Sequence, residues 1–483
     1  MISIIYIIIN IFLNLFLSYF FYSLLQKSYY SLKRVCFRLS DQIQYYFPLF
    51  LISILSLFTF ILPLFSPFLL PLNLLSYIFI LIFLPKVKGK FTARFIRIFI
   101  VNNLFFISFN IIFYLLLPKF LFLSQIFGFF NLLISFYTIK PFDYYKRNKT
   151  YKKTKNKLNY CNKLKIIGIT GSFGKTTTKN FLISLIHPHR YLSPSGNINT
   201  PLGIANYIIN NVSIFDRILI LELGIDEING MNEFKKYLNL DIAIITSIGE
   251  QHLRTFKTVE NIKSAKAKIT NLLKNDGKLF YFKNEIDDAY LKENNIKNAI
   301  LPSDYKILFK EKNMVVIRDN KTMINVPFTD KNLVKDAFMA YKVSLELFNS
   351  SINALNLSKL SPPPRRKAIY SKDNLTIIDD SYNLNLKGLS SSIKNALKEN
   401  KPLTIFTGGI FETGKNIRLL FYFYNLINVA DKIIYCQKLL PIEKRIIEEI
   451  PGLKNKILYQ KNIIYPNNGT LLILTSGDNS SYK

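Results

Sequence analysis

The sequence predicts an α-helical transmembrane region followed by two α/β domains. Three observations carry this. Five apolar stretches crowd the first 140 residues. A short apolar run then ends in the glycine-rich segment GITGSFGKTTTKN at 168–180. From there to the end, short apolar runs alternate with helically spaced ones. A chain of 483 residues has room for two or three domains.

The apolar stretches run roughly over 2–25, 48–65, 67–85, 98–117 and 120–139. Each is close to the ~20 residues that a helix needs to cross a bilayer core. Basic residues follow a pattern. Lys27, Lys33, Arg34 and Arg38 follow the first stretch. Lys86, Lys88, Lys90, Arg94 and Arg97 separate the third and fourth, and Lys140, Lys146, Arg147, Lys149, Lys152 and Lys153 follow the fifth. The other joints carry almost none. Five crossings with the N-terminus outside put every basic loop on the cytoplasmic face. The expectation is a multi-pass protein of the cell membrane with its remaining domains in the cytoplasm. The expected organisation is a transmembrane region of about five helices at 1–140, a basic linker at 141–162, a central domain at 163–360 and a C-terminal domain at 361–483. The linker suits either a solvated connector or a segment lying on anionic lipid headgroups.

The net charge of +32 has two readings. One is an anionic partner. The other is codon composition, since Lys, Asn, Ile, Phe and Tyr are inflated together. No interleaved basic and aromatic motif marks a nucleic-acid binder, so no nucleic acid is expected. Cys36, Cys161 and Cys436 lie far apart and suggest neither a disulfide framework nor a metal site.

KIIGIT at 165–170 reads as a strand and KTTTKNFLISLI at 175–186 as a helix, so GSFG sits in a strand–loop–helix context. That is the setting of a phosphate-binding loop in a P-loop ATPase-like domain. Gly171 and Gly174 let the backbone curl towards phosphate oxygens, with Ser172 between them. Lys175 is placed to neutralise the phosphates, and Thr176 to ligate Mg2+, with Thr177 beside it. The helix start adds a positive dipole end. The spacing departs from GxxxxGK[ST], because Ile169 stands where the first glycine belongs and Gly168 precedes it.

GITGSFGKTTTKNF resembles the Mur ligase superfamily, and four further stretches resemble it in the same order. These are SGNINTPLG at 195–203, LILELG at 219–224, TSIGEQHLRTFKTVENIKSAKAKI at 246–269 and IIDDSYNLN at 377–385. GEQHL and DDSYN are most similar to the branch that adds D-alanyl-D-alanine to a UDP-linked tripeptide. The resemblance spans about 163–480. It implies an ATP-dependent, ADP-forming ligase that activates a carboxylate as an acyl phosphate and joins it to an amine. The cofactors implied are ATP and Mg2+. The partners implied are a cell-wall precursor with a free carboxylate, an amino acid or dipeptide, and, from the apolar N-terminal region, membrane lipid.

The resemblance also assigns roles. Asn197, Asn199 and Thr200 face substrate. Glu222 and His252 hold metal with Thr176. Lys266 matches a lysine that the family carbamylates into a metal ligand. Asp336 occupies the place of an adenine-recognising Asn, and Arg366, Asp380, Tyr382 and Asn383 reach the nucleotide from the second, Rossmann-like domain. The catalytic set is Lys175, Lys266 and His252.

The departures are Asp336 itself, Lys268 for an acidic residue, Leu386 for Pro, Gly409 for Asp and no Lys-Gly-Ser near the end. A membrane region also stands where soluble members carry a UDP-gripping domain, which leans the reading towards a lipid-linked acceptor. The rival readings are another ligase of the superfamily, of folylpolyglutamate or cyanophycin type, and a non-catalytic membrane-anchored nucleotide-binding scaffold.

Overall fold

The computed structural model describes positions scattered through 11–26, residues 91–116, and 123–474 apart from short gaps that include 196–197, 252, 349–358, 363–367, 382–385 and 409–416. The chain forms two compact units, residues 1–149 and 150–483.

In the first unit, α1 (Ala93–Leu116) and the start of α2 (Leu123–Tyr160) are described. A helix of 24 residues is about 36 Å long at 1.5 Å per residue, enough for a ~30 Å hydrocarbon core. Among the described residues, α1 is the one helix long and apolar enough to cross a membrane. Its outer face carries exposed Ile100, Leu104, Ile111, Leu115 and Leu116. Its inner face is partly polar: buried Asn131 of α2 donates to the main-chain and side-chain oxygens of buried Asn102 at 2.7 and 3.1 Å. At the basic end of α1, Arg94 and Arg97 both pair with Asp143, at 2.6 and 2.7 Å.

The expectation of five transmembrane helices is thus corrected for the described residues, which show one such helix. The stretches 48–65 and 67–85 and most of 2–25 lie outside the described residues. The stretch 120–139 continues as α2 into a strongly basic half, so it does not end as a separate crossing. Residues 141–160, read from sequence as a linker, are helical. Their last turns belong to the second unit. Tyr151 stacks on Tyr237 at 5.0 Å and donates to Glu233, while Lys157 donates to the carbonyl of Ile209 at 2.6 Å.

The second unit opens with five parallel strands. These are β1 (Lys165–Thr170), β2 (Ile218–Glu222), β3 (Leu240–Ile245), β4 (Leu273–Tyr281) and β5 (Ala299–Ile300), in the order β2-β1-β3-β4-β5. A parallel sheet covered on both faces needs strands that are apolar on both sides. KIIGIT and ILILE satisfy this, and all five residues of β2 are buried. One face packs under α4 (Pro201–Asn211), through Ile204, Ala205 and Ile208. The other packs under α3 (Lys175–Ile186) and α6 (Lys331–Phe348), through Phe181, Leu185, Val334 and Phe338; α5 (Val259–Ala267) follows β3. A small antiparallel sheet, β6 (Tyr305–Lys310), β7 (Val315–Asp319) and β8 (Thr322–Val326), intervenes before α6.

The C-terminal sheet adds β9 (Ala368–Lys372), β10 (Leu375–Asp379), β11 (Leu403–Thr407), β12 (Lys432–Tyr435), β13 (Ile457–Tyr459) and β14 (Gly469–Leu474), ordered β13-β12-β11-β14-β10-β9. All pairs are parallel except β9 on β10. Between them run α7 (Leu386–Ala396), α8 (Ile417–Ile427) and α9 (Pro441–Glu449). Two α/β units therefore follow the N-terminal region.

Candidate nucleotide and metal site

The site lies where open parallel sheets place ligands, beyond the carboxyl ends of the strands. Register aligns Ile169 of β1 with Glu222 of β2, and Thr170 with Ile245 of β3. Three strand ends thus meet around residues 171–174.

Two glycines shape the loop between β1 and α3. Gly171 has φ +149° and Gly174 φ +84°, conformations that L side chains rarely adopt. Space forbids a side chain as well. A Cβ on Gly171 would lie 2.0 Å from Thr246 Oγ1, and one on Gly174 would lie 2.6 Å from Asp336 Oδ1. The loop is fastened to the segment after β3. The amides of Ser172 and Phe173 both donate to the carbonyl of Ser247, and Ser172 Oγ donates to that of Gly249. Thr246 Oγ1 lies 3.1 and 2.6 Å from the carbonyl oxygens of Thr170 and Phe173. Helix α3 starts at Lys175, so its positive dipole end meets the loop.

Lys175 Nζ donates to the carbonyls of Gly171 at 2.6 Å and Ser172 at 3.2 Å. Lys266, the last basic residue of α5, donates to the same Gly171 carbonyl at 2.8 Å. Lys266 is only 2% exposed. Burial, and secondarily the neighbouring Lys175 charge, hold its ammonium well below the usual lysine range.

Thr176 Oγ1 donates to Glu222 Oε2 at 2.8 Å, joining the first turn of α3 to the end of β2. Two oxygens bound side by side on an octahedral Mg2+ at 2.0–2.1 Å stand about 2.9 Å apart, so this pair fits adjacent ligand positions. Among the described residues no three His, Cys, Asp or Glu side chains gather into a metal cluster. A cation here would draw its remaining ligands from phosphate and water, as Mg2+ commonly does.

The structure therefore brings together Gly171, Ser172, Gly174, Lys175, Thr176, Glu222, Lys266 and Asp336. Thr177 follows, buried, on α3. Asp336, assigned to adenine by resemblance, has its carboxylate against Gly174 because α6 packs along α3. Asn199 lies near Glu222 in a different way: its carbonyl accepts from Gly224, and its side chain covers that glycine. Thr200 serves as N-cap of α4, accepting from the Gly203 amide at 3.3 Å. Asp380 follows β10 and bonds Ser392 of α7 within the C-terminal domain. Asn197, His252, Arg366, Tyr382 and Asn383 lie outside the described residues, as does Gly409. Two participants were missed from sequence. Thr246 fastens the loop, and Lys179 pairs with Glu222 Oε1 at 2.8 Å. For Lys179 a signal existed, its place one helical turn after Lys175.

Comparison with known proteins shows what the chain is similar to. The family described as Mur ligase middle domain matches residues 169–350. UDP-N-acetylmuramoyl-tripeptide–D-alanyl-D-alanine ligase of Bacillus subtilis is 26% identical over 243 residues, 48% of this chain and 52% of the relative. The same-named protein of Rickettsia prowazekii is 28% identical over 281 residues, 53% and 61%. The chain thus spans about half to three fifths of the length of these relatives. Among solved structures, the MurF ligase of Thermotoga maritima in complex with ADP superimposes with a TM-score of 0.58 at 20% identity, covering 68% of this chain and 80% of that one. This last likeness is one of fold.

Proposed function

We propose that this chain, which belongs to the Mur ligase superfamily through its middle domain, is an ATP-dependent ligase that joins a carboxylate of a peptidoglycan-type precursor to the amine of an amino acid or dipeptide. The observation that carries the reading is the pairing of Thr176 with Glu222 beneath a glycine loop on which Lys175 and Lys266 converge. Such a site gathers phosphate oxygens and a divalent cation within one wall.

The chemistry follows from what a carboxylate lacks. It has no leaving group, so it forms no amide with an amine unaided. Transfer of the γ-phosphoryl group of ATP to the carboxylate oxygen gives an acyl phosphate and ADP. The amine then attacks the carbonyl carbon, and phosphate departs. Here Lys175 leaves the loop carbonyls for the phosphates, as the stronger charge-assisted partners. Thr176 and Glu222 would hold Mg2+, which supplies neutralisation of charge on the transferring phosphoryl group. Burial lowers the Lys266 ammonium well below the usual lysine range, which eases the loss of the proton that attack on CO2 requires. This supports the carbamylation that the family resemblance implies. The α/β domain of β9–β14 is suited to cover the nucleotide and exclude water, which would otherwise hydrolyse the acyl phosphate.

The names of the relatives point to the reactants: a UDP-linked muramoyl tripeptide and D-alanyl-D-alanine. The α1 helix supports a membrane location, with the basic part of α2 on the cytoplasmic side against anionic headgroups. There Lys140 sits over Tyr137 at 4.3 Å and Arg147 over Tyr144 at 5.5 Å, which are interfacial pairings. Full-length protein should release phosphate from ATP only when both acceptor acid and dipeptide are present. Comparing the UDP-linked tripeptide with its polyprenyl-linked form identifies the acceptor. Phosphate release that ignores both reactants counts against ligation and for a nucleotide-binding scaffold.

A further inference from the structure

Beyond the loop lysine, a second lysine of α3 bears on the same site. Lys179 lies one turn past Lys175, facing the end of β2, and is only 6% exposed. Its Nζ pairs with Glu222 Oε1 at 2.8 Å and donates to the carbonyl of Pro194 at 3.2 Å. Glu222 is 8% exposed, and its other oxygen, Oε2, accepts from Thr176. Lys175, one turn earlier, donates to Gly171 and Ser172. Pro194 follows Leu192, which pairs alongside β2 at Leu219, and precedes the SGNINT segment that reaches Asn199 and Thr200.

We infer that Lys179 is the positioning residue of the cation-holding carboxylate: by fixing Oε1 it presents Oε2 to the cation beside Thr176, and it ties the Pro194 carbonyl to the same carboxylate. The physical reason is the cost of a buried carboxylate. Without Lys179, Oε1 would lose its charged partner and the carboxylate would be free to turn away. Such a turn carries Oε2 away from the cation position beside Thr176. With Lys179 in place, Oε1 is fixed and Oε2 stays beside Thr176. Groups that orient a metal ligand in this way typically contribute 10- to 100-fold in metal affinity. Lys179 touches no reacting atom and acts through Glu222.

This inference rests on reading the site as one for a divalent cation with nucleotide. The test measures Mn2+ binding to the full-length chain in the presence of ADP, by loss of the free Mn2+ electron paramagnetic resonance signal. Wild type is compared with K179M, K179Q, K179R, E222Q and the double variant K179M/E222Q. We expect K179M and K179Q to weaken Mn2+ binding about 10- to 100-fold, K179R to recover most of the loss, and the double variant to bind no worse than E222Q within about twofold. Cooperative thermal unfolding verifies that each variant is folded. K179Q keeps a donor for Pro194 should K179M fail to fold. If wild type takes up Mn2+ with ADP and folded K179M and K179Q match or exceed it, the role of Lys179 is overturned, and the lysine merely repels the cation. If wild type itself takes up no Mn2+ with ADP, the nucleotide–metal reading beneath it falls instead.

Discussion

Lys175 and Lys266 donate to the same oxygen, the carbonyl of Gly171, at 2.6 and 2.8 Å. A carbonyl oxygen has two lone pairs and can accept from both, but the two cationic groups then stand close together. Burial, and secondarily the Lys175 charge, lower the Lys266 ammonium well below the usual lysine range.

Replacing Lys175 by Ala removes the charge that the glycine loop presents. The expected result is a fall of about 100- to 1000-fold in ATP-dependent turnover, the range for losing one preorganised electrostatic group. Thermal stability is read in parallel, because Lys175 also bonds the loop carbonyls of Gly171 and Ser172. The measurement is steady-state phosphate release beside a melting curve of the same preparation.

Lys266 gives a pH dependence with a definite sign. Unfolded, its ammonium titrates near the ordinary ~10.4; folded, it titrates lower, so between the two values the unfolded chain binds more protons. This group therefore makes stability rise with pH from its lowered folded value up to about 10.4. Below both values its contribution is the unfavourable burial of a charge. K266M should flatten the rise. Urea midpoints of wild type and K266M at pH 7 and pH 9, in CO2-free buffer, measure the difference in slope.

Gly171 cannot accept even a methyl group. Its φ of +149° is left to glycine, and the added carbon would meet Thr246 Oγ1, which is fixed by two main-chain carbonyls. G171A should lose about 1–3 kcal/mol of stability, the cost of one strained residue. It should also lose nucleotide binding, since loop and cradle are the same atoms. Denaturation and ADP titration on one sample check both.

The C-terminal domain offers a test away from the site. Tyr424 and Tyr435 both donate to Glu443 Oε1, each at 3.1 Å, inside the core beneath β12 and α9. Tyr424 Oη also lies 3.2 Å from Tyr435 Oη, so E443L leaves the two buried phenols only one acceptor between them and one hydroxyl unsatisfied. It should cost about 1–3 kcal/mol, the penalty of unsatisfied buried polar groups. Y424F/E443L should recover part of that loss. Urea unfolding of the two variants decides.

The nucleotide loop was legible because its physics is local. Two glycines, a lysine and a threonine follow an apolar run within eleven residues, and nothing distant alters what they can do. Glu222 was legible for a similar reason, as the one charge ending a fully apolar strand. The role of Lys179 was not, since it depends on β2 lying beside α3, a neighbour 43 positions away in sequence. The helix over 141–160 was obscured by Pro141 and by charge on every side; it folds because Asp143 pairs with Arg94 and Arg97, and Tyr151 stacks on Tyr237. The small sheet β6–β8 escaped notice because its strands have five or six residues and lie between longer helical signals. The multi-helix membrane region was read from apolar length and the basic residues between the stretches, which do not distinguish a helix that ends from one that runs on, as α2 does.

The central claim is coupling of ATP cleavage to amide formation, and the most direct measurement is the product itself. Full-length protein is mixed with ATP, Mg2+, a muramoyl-tripeptide acceptor in UDP-linked or polyprenyl-linked form, and D-alanyl-D-alanine, and the mixture is analysed by mass spectrometry. The account predicts an acceptor heavier by one dipeptide minus water, formed one-for-one with ADP and abolished in K175A. ADP formed without any new amide on either acceptor, or amide formed equally well by K175A, would contradict it.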